Sequence, residues 1–89
     1  MDFANKTVIV TGAAKGIGKG IALLYAKQGA LVVIADMDKE AGTKTAALIK
    51  EQGGQALFIP TDVRQEADIV RLMEVSYQTY GQINILINN

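Results

Sequence analysis

Four short runs dominate the chain: TVIV (7–10), LVVIA (31–35), LFI (57–59) and INILI (83–87). None carries the regular polar alternation of a strand with one wet face. Strands apolar on both sides belong to a parallel sheet covered above and below by helices. The stretches between the runs fit that demand, because their apolar residues fall at helical spacing.

From Gly16 a first helical stripe runs through Ile17, Ile21, Leu24 or Tyr25 and Gln28, and stops at Gly29. Asp38 can cap a second helix with a stripe at Ala41, Thr45, Leu48 and Ile49, ending at Gly53-Gly54. The third stripe is Ala67, Val70, Met73, Tyr77 and Tyr80, stopped by Gly81. Arg64 offers no capping oxygen, so Asp62 is the expected cap there. The order β-α-β-α-β-α-β predicts a Rossmann-like, doubly wound parallel α/β sheet with strand order 3-2-1-4. Between strands one and four the chain reverses direction across the sheet, and ligands of such sheets bind at the carboxyl ends of the strands there.

Composition removes several chemistries. The chain has no Cys and no His, which excludes disulfides, thiolate nucleophiles, imidazole ligands and a Ser-His-Asp arrangement. Its carboxylates are scattered singly, and no metal site is expected. Nine basic and nine acidic side chains cancel, so no charge footprint favours nucleic acid or an acidic membrane. No apolar run, that of residues 21–26 included, exceeds six residues, far short of the ~20 residues of a membrane span. Residues 1–6 hold no signal-like hydrophobic stretch, and a cytoplasmic location is expected.

Three loops remain at the nominated ends. The first is TGAAKGIG, residues 11–18, with Gly12, Gly16 and Gly18 placed for a tight turn and a close backbone approach to a pyrophosphate. Its spacing departs from G-x-G-x-x-G, and an ordinary β-α turn is the competing assignment. Lys15 adds a cation there that could hold a 2′-phosphate. Asp36, 18 residues after Gly18, can accept hydrogen bonds from both adenosine ribose hydroxyls and would repel a 2′-phosphate. Alone it could equally be a turn or cap residue; beside the glycine loop the ribose role is preferred. Asp62-Val63 could meet an adenine amino group and ring, or simply begin the third helix.

With these residues in view, the chain resembles the short-chain dehydrogenase/reductase family over its whole length. TGAAKGIG is similar to that family's TGxxxGIG cofactor loop, Asp36 to its NAD-preferring acidic residue, and Asp62-Val63 to its adenine-side pair. GQINILINN resembles the segment entering the family's NNAG motif. The resemblance implies a cofactor set of Gly12, Lys15, Gly16, Ile17, Gly18, Asp36, Met37, Asp62, Val63 and Asn89. It implies NAD rather than NADP as the cofactor, although the glycine loop itself serves both. The parent reaction would be hydride transfer between nicotinamide and an alcohol or ketone.

The family's Tyr-x-x-x-Lys pair is absent: four residues after Tyr25, Tyr77 and Tyr80 stand Gly29, Gly81 and Asn84. Ser76, the only serine, lies in the third helical stretch. Residues 1–89 therefore read as the truncated N-terminal part of an NAD(P)-binding Rossmann domain, with no catalytic residues and no turnover of its own. Two other readings stand beside it. Gly16-x-Gly18-x-Gly20 also suits a fragment of an S-adenosylmethionine methyltransferase. A free-standing interaction module would instead use its apolar fourth strand as a partner surface. The isolated chain is accordingly expected to form homo-oligomers, to aggregate, or to be completed by a missing C-terminal half.

Overall fold

The computed structural model describes residues 2–89. Its elements are β1 (Thr7–Thr11), α1 (Gly16–Lys27), β2 (Leu31–Asp36), α2 (Lys39–Glu51), β3 (Gln55–Pro60), α3 (Glu66–Tyr80) and β4 (Ile85–Ile87). The four strands form one sheet in the order β3-β2-β1-β4, and all three pairings are parallel. The strand order and alternation are those expected from the two periodicities of the sequence.

Alternate residues of the central strands fill two cores. Val8, Val10, Val32 and Ile34 pack with Ala22 of α1 and with Ala46 and Ile49 of α2. Ile9, Val33 and Ala35, facing the other way, pack with Ile59 of β3 and Leu72 of α3. Two helices on one face and one on the other leave every residue of β1 buried. The loops that follow β1, β2 and β3 therefore emerge together at one end of a rigid sheet. No helix among the described residues is long and apolar enough to cross a membrane.

The face of α2 is the expected one, with Thr45 and Ile49 buried, whereas those of α1 and α3 depart in part from the expected stripes. Ile17 and Leu24 are 78% and 59% exposed, whereas Gly18 and Ala22 are the buried residues of α1. Small side chains there let the helix axis approach the sheet, while Ile21 and Tyr25 of the expected stripe pack beside them against the same core. In α3, Val70 and Tyr77 are exposed and the buried positions are Leu72 and Ser76. Met73 and Tyr80 of the expected stripe still pack against the core, flanking the buried Leu72 and Ser76. Strand β4 starts at Ile85 rather than Ile83; Ile83 packs on the α3 side of the core. Asn84 ends the preceding loop instead, its side chain accepting from the Thr7 N–H at 2.8 Å and its N–H donating to the Thr7 carbonyl at 3.0 Å. Within β4, Ile85 and Ile87 are half-buried on the α1 side while Leu86 is exposed.

Two consequences are testable by equilibrium unfolding. A Cβ added at Gly42 of α2 would lie 2.1 Å from the Phe58 ring, so α2 rests directly on β3. Gly42→Ala should cost about 1–3 kcal/mol, and Phe58→Leu should recover part of it. Additive losses in the double variant would contradict the contact. The Ser76 Oγ is buried without a hydrogen-bond partner. Ser76→Ala should leave stability unchanged or raise it by up to ~1 kcal/mol, since it removes an unsatisfied hydroxyl and favours helix; a clear loss would reveal a bond through that oxygen.

Candidate functional site

The loop after β1 begins with the Gly12 N–H donating to the Ala35 carbonyl of β2 at 2.8 Å. Gly12 and Gly16 have φ of 63° and 64°, a backbone region that side chains with a Cβ rarely adopt. Gly18 answers a different need. A Cβ there would lie 2.1 Å from the Gly12 carbonyl oxygen, so the first turn of α1 is laid against the loop's own backbone.

Lys15 is the N-cap residue of α1, but its side chain makes no capping bond, and the first turn has no acidic residue. The first N–H groups of a helix have no carbonyl partner inside it, and they carry the positive end of the helix dipole. This end of α1 is thus a set of backbone donors without a side-chain acceptor to satisfy them. Ile17 lies within that turn with its side chain exposed.

Asp36 closes β2 and uses both carboxylate oxygens. Oδ2 accepts from the Ala14 N–H and Oδ1 from the Asp38 N–H, each at 3.0 Å. An ionised carboxylate has about four acceptor positions, so capacity remains on its open side. The Ala14 carbonyl in turn accepts from the Thr45 hydroxyl at 2.8 Å. Lys15 Nζ lies 3.4 Å from Asp38 Oδ2, and the lysine side chain is 76% exposed. Asp38 also caps α2 as expected, Oδ1 accepting from the Ala41 N–H at 3.0 Å.

The Ala41 N–H, aided by Lys15, holds the Asp38 carboxyl below its ordinary value of 3.8. A carboxylate favoured in the folded state contributes its full stabilisation above that ordinary value. The contribution is lost as pH falls through the lower folded value. The first turn of α2 should therefore fray only in that acid window, seen as faster exchange of the Ala41 amide. In Asp38→Asn, which keeps a neutral cap, the same turn should not respond to pH; an unchanged acid response would contradict the assignment.

Asp62 does not cap α3. The N-cap is Gln65, without a side-chain bond, and Asp68 reaches back to accept from the Asp62 N–H at 2.8 Å. The Asp62 carboxylate is instead engaged by Arg64, whose Nε and Nη2 donate to Oδ1 and Oδ2, both at 3.0 Å. This pair, with the Arg64 N–H, lowers the Asp62 pKa. Arg64 was read in the sequence only as a poor cap; its spacing of two from Asp62 is the one signal that could have suggested the fork. Met37 and Asp62 share a cavity of about 320 Å³ whose walls also include Thr61 and Arg71. Val63 is exposed and faces a different cavity, of about 330 Å³, with Thr11, Leu86 and Asn88.

Asn89 comes back over the first loop. Its N–H donates to Thr11 Oγ1 at 3.1 Å and its side-chain amide to the Gly12 carbonyl at 3.3 Å. The Thr11 hydroxyl has one proton, shared between the Asn88 side-chain oxygen at 3.2 Å and the Ile87 carbonyl at 3.4 Å. The structure thus brings Gly12, Gly18 and Asn89 into contact, and places Lys15 and Asp36 around Asp38. Asp62 and Val63 stand at the third strand end, one on each of two cavities. The bonds of Thr11, Ala14 and Thr45 were not anticipated; a threonine at a buried helical position was the available sign for Thr45. No group of side chains that could hold a metal ion is present among the described residues.

Comparison with known proteins agrees with the fold and the order of these loops. The family described as short chain dehydrogenase matches residues 6–89. An uncharacterized oxidoreductase of Thermotoga maritima is 43% identical over 89 residues, covering 100% of this chain and 35% of that relative. The crystal structure of a hydroxysteroid dehydrogenase from Escherichia coli superposes with a TM-score of 0.97 at 35% identity, over 99% of this chain and 37% of that one. A 3-ketoacyl-(acyl-carrier-protein) reductase from Brucella melitensis, complexed with NADH, gives a TM-score of 0.88 at 36% identity, over 96% and 34%. The chain therefore spans about a third of the length of the relatives it matches, and it corresponds to their N-terminal, cofactor-binding part. These matches favour the dehydrogenase reading over the methyltransferase fragment and the free-standing interaction module. With its glycine loop, its parallel sheet and a match over residues 6–89, the chain belongs to the short-chain dehydrogenase family.

Proposed function

We propose that this chain binds NAD at the three loop ends, as the dinucleotide-binding part of an oxidoreductase that moves hydride between nicotinamide and an alcohol or ketone. The observation that carries the proposal is Asp36: a carboxylate at the end of β2, oriented by two backbone N–H groups, beside a helix N-terminus with no capping side chain. The backbone N–H groups of Lys15, Gly16, Ile17 and Gly18 would receive the pyrophosphate, Gly12 would leave room for its approach, and Asp36 would take the ribose hydroxyls. Met37, Asp62 and Val63 would border the adenine, with Asp62 sharing its acceptor capacity between the ring and Arg64. Asn89, lying over Gly12, would border the nicotinamide side.

NAD is preferred to NADP because a 2′-phosphate would meet the Asp36 charge, while the nearby cation Lys15 is paired with Asp38. The NADH bound to the Brucella melitensis reductase is consistent with that choice. Carbonyl reduction needs a proton donor as well as a hydride donor. The Tyr-x-x-x-Lys pair implied by the family is not among residues 1–89. The chain alone is accordingly proposed to bind and not to turn over. A further segment of polypeptide, in the same chain or supplied by association, is proposed to pair with the free edge of β4 and cover Leu86, which is 49% exposed.

The test is an NADH titration followed by amide chemical shifts. Resonances of residues 12–18, Asp36 and Met37 should move along one binding curve. Shifts confined to the groove that Phe3, Ile21 and Tyr25 form with Ile87 of β4, or no saturable shift, would overturn the proposal.

A further inference from the structure

The peptide groups on either side of Ala14 are held by two different elements. Its N–H donates to Asp36 at the end of β2, and its carbonyl accepts from Thr45 in α2. Thr45 is 1% exposed, on the face of α2 that also buries Gly42, Ala46 and Ile49. A helical threonine commonly returns its hydroxyl to its own helix, four residues back. Here the hydroxyl proton is committed instead to a loop 31 residues away.

These bonds close a ring. Thr45 holds Ala14, Ala14 holds Asp36, Asp36 holds the Asp38 N–H, and the Asp38 carboxylate caps α2 at Ala41, one turn before Thr45. Moving the glycine loop thus requires breaking a bond inside the packed interface between α2 and the sheet. Peptide geometry then sets the direction of the next donor. No peptide bond among the described residues is cis, and in a trans peptide the C=O and the following N–H point in opposite directions. With the Ala14 carbonyl drawn toward Thr45, the Lys15 N–H of the same peptide faces away from α2.

We infer that Thr45 is a positioning residue for the site: it orients the Ala14–Lys15 peptide so that the Lys15 N–H joins the donors at the start of α1 before a ligand arrives. The inference rests on the dinucleotide reading above for its purpose, since a pre-set donor lowers the ordering cost of binding an anion.

The test compares Thr45→Val, Thr45→Ser and Ile49→Val by NADH titration, thermal unfolding and amide spectra. Thr45→Val keeps the side-chain shape without the hydroxyl and should weaken NADH about five- to tenfold, the effect of one lost hydrogen bond. Thr45→Ser should bind within about twofold of the starting chain on the same scale. Ile49→Val, on the same buried face with no bond to the loop, should lower stability and leave NADH affinity unchanged. If Thr45→Val does not fold, Thr45→Ala takes its place with the same expectation. Equal NADH affinity for all the variants would overturn the inference. If the unsubstituted chain itself binds no NADH, the cofactor reading fails, and positioning is then judged from the Ala14, Lys15 and Gly16 amides. They should shift in Thr45→Val and return in Thr45→Ser; no shift overturns the inference.

Discussion

Gly18→Ala is expected to lose NADH binding by about 100-fold or more, and to lower the thermal midpoint by roughly 10–20 °C. The added Cβ would lie 2.1 Å from the Gly12 oxygen and 2.8 Å from its carbonyl carbon. Both are backbone atoms, and Gly12 is anchored to β2 through the Ala35 carbonyl. The nearby Asn89 side-chain nitrogen could swing aside, but the carbonyl cannot, so α1 must move off the sheet. A domain this small has a margin on the order of 5–15 kcal/mol, and overpacking of this kind costs about 1–3 kcal/mol or more of it. The same movement carries the N-terminal donors of α1 away from the loop, so binding falls further than stability.

Gly20→Ala, two residues along the same helix, provides the contrast. A Cβ at Gly20 meets nothing within 4 Å, and its φ is not in the left-handed region. Alanine there should stabilise α1 by up to ~1 kcal/mol and leave NADH affinity intact. Equal effects at Gly18 and Gly20 would mean that helix propensity, not the close approach, governs the loop. Thermal unfolding and NADH titration of both variants decide it.

Asp36→Ala is expected to weaken NADH by about ten- to 100-fold and to reduce the preference for NADH over NADPH by about tenfold or more. Three losses combine. The ribose hydroxyls lose a charged acceptor, the Ala14 and Asp38 N–H groups lose theirs, and the repulsion of a 2′-phosphate disappears. Asp36→Asn separates these effects, because it keeps one acceptor oxygen while removing the charge. If charge sets the choice between cofactors, Asn should resemble Ala in the NADH-to-NADPH ratio while retaining more of the loop's order. An unchanged ratio in both variants would show that cofactor choice is made elsewhere in the site.

The sheet was legible because its information is local. Apolar runs of strand length, each followed by a helical period, leave few ways to bury both faces, and β3-β2-β1-β4 is the result. The positions of Gly12 and Asp36 followed from the same logic, since they stand where strands end, and Gly16 stands where the next helix begins. The face of α2 was legible through Thr45 and Ile49, but those of α1 and α3 only in part, because they were judged by the size of side chains. At α1 the sheet is met by Gly18 and Ala22, at α2 by Gly42 against Phe58, and at α3 by Leu72 and Ser76. At α1 the close approach buries small residues and leaves Ile17 and Leu24 exposed, whereas α2 and α3 still bury Ile49 and Leu72.

The polar contacts show a second limit. Thr45 with Ala14 and Asn89 with Gly12 join residues distant in sequence, so nothing in either local pattern announces them. Asp62 failed for the opposite reason. Its partner Arg64 is only two residues away, and a local ion pair displaced the helix cap that a strand-helix junction ordinarily favours.

Competitive titration of NADH and NADPH into the unsubstituted chain, at one fixed ionic strength, tests the proposal that this chain binds NAD in preference to NADP. Saturable binding of both is expected, with NADH at least about tenfold tighter, given a carboxylate facing the ribose without a free cation beside it. Equal or tighter binding of NADPH, or no saturable binding of either dinucleotide, would contradict it.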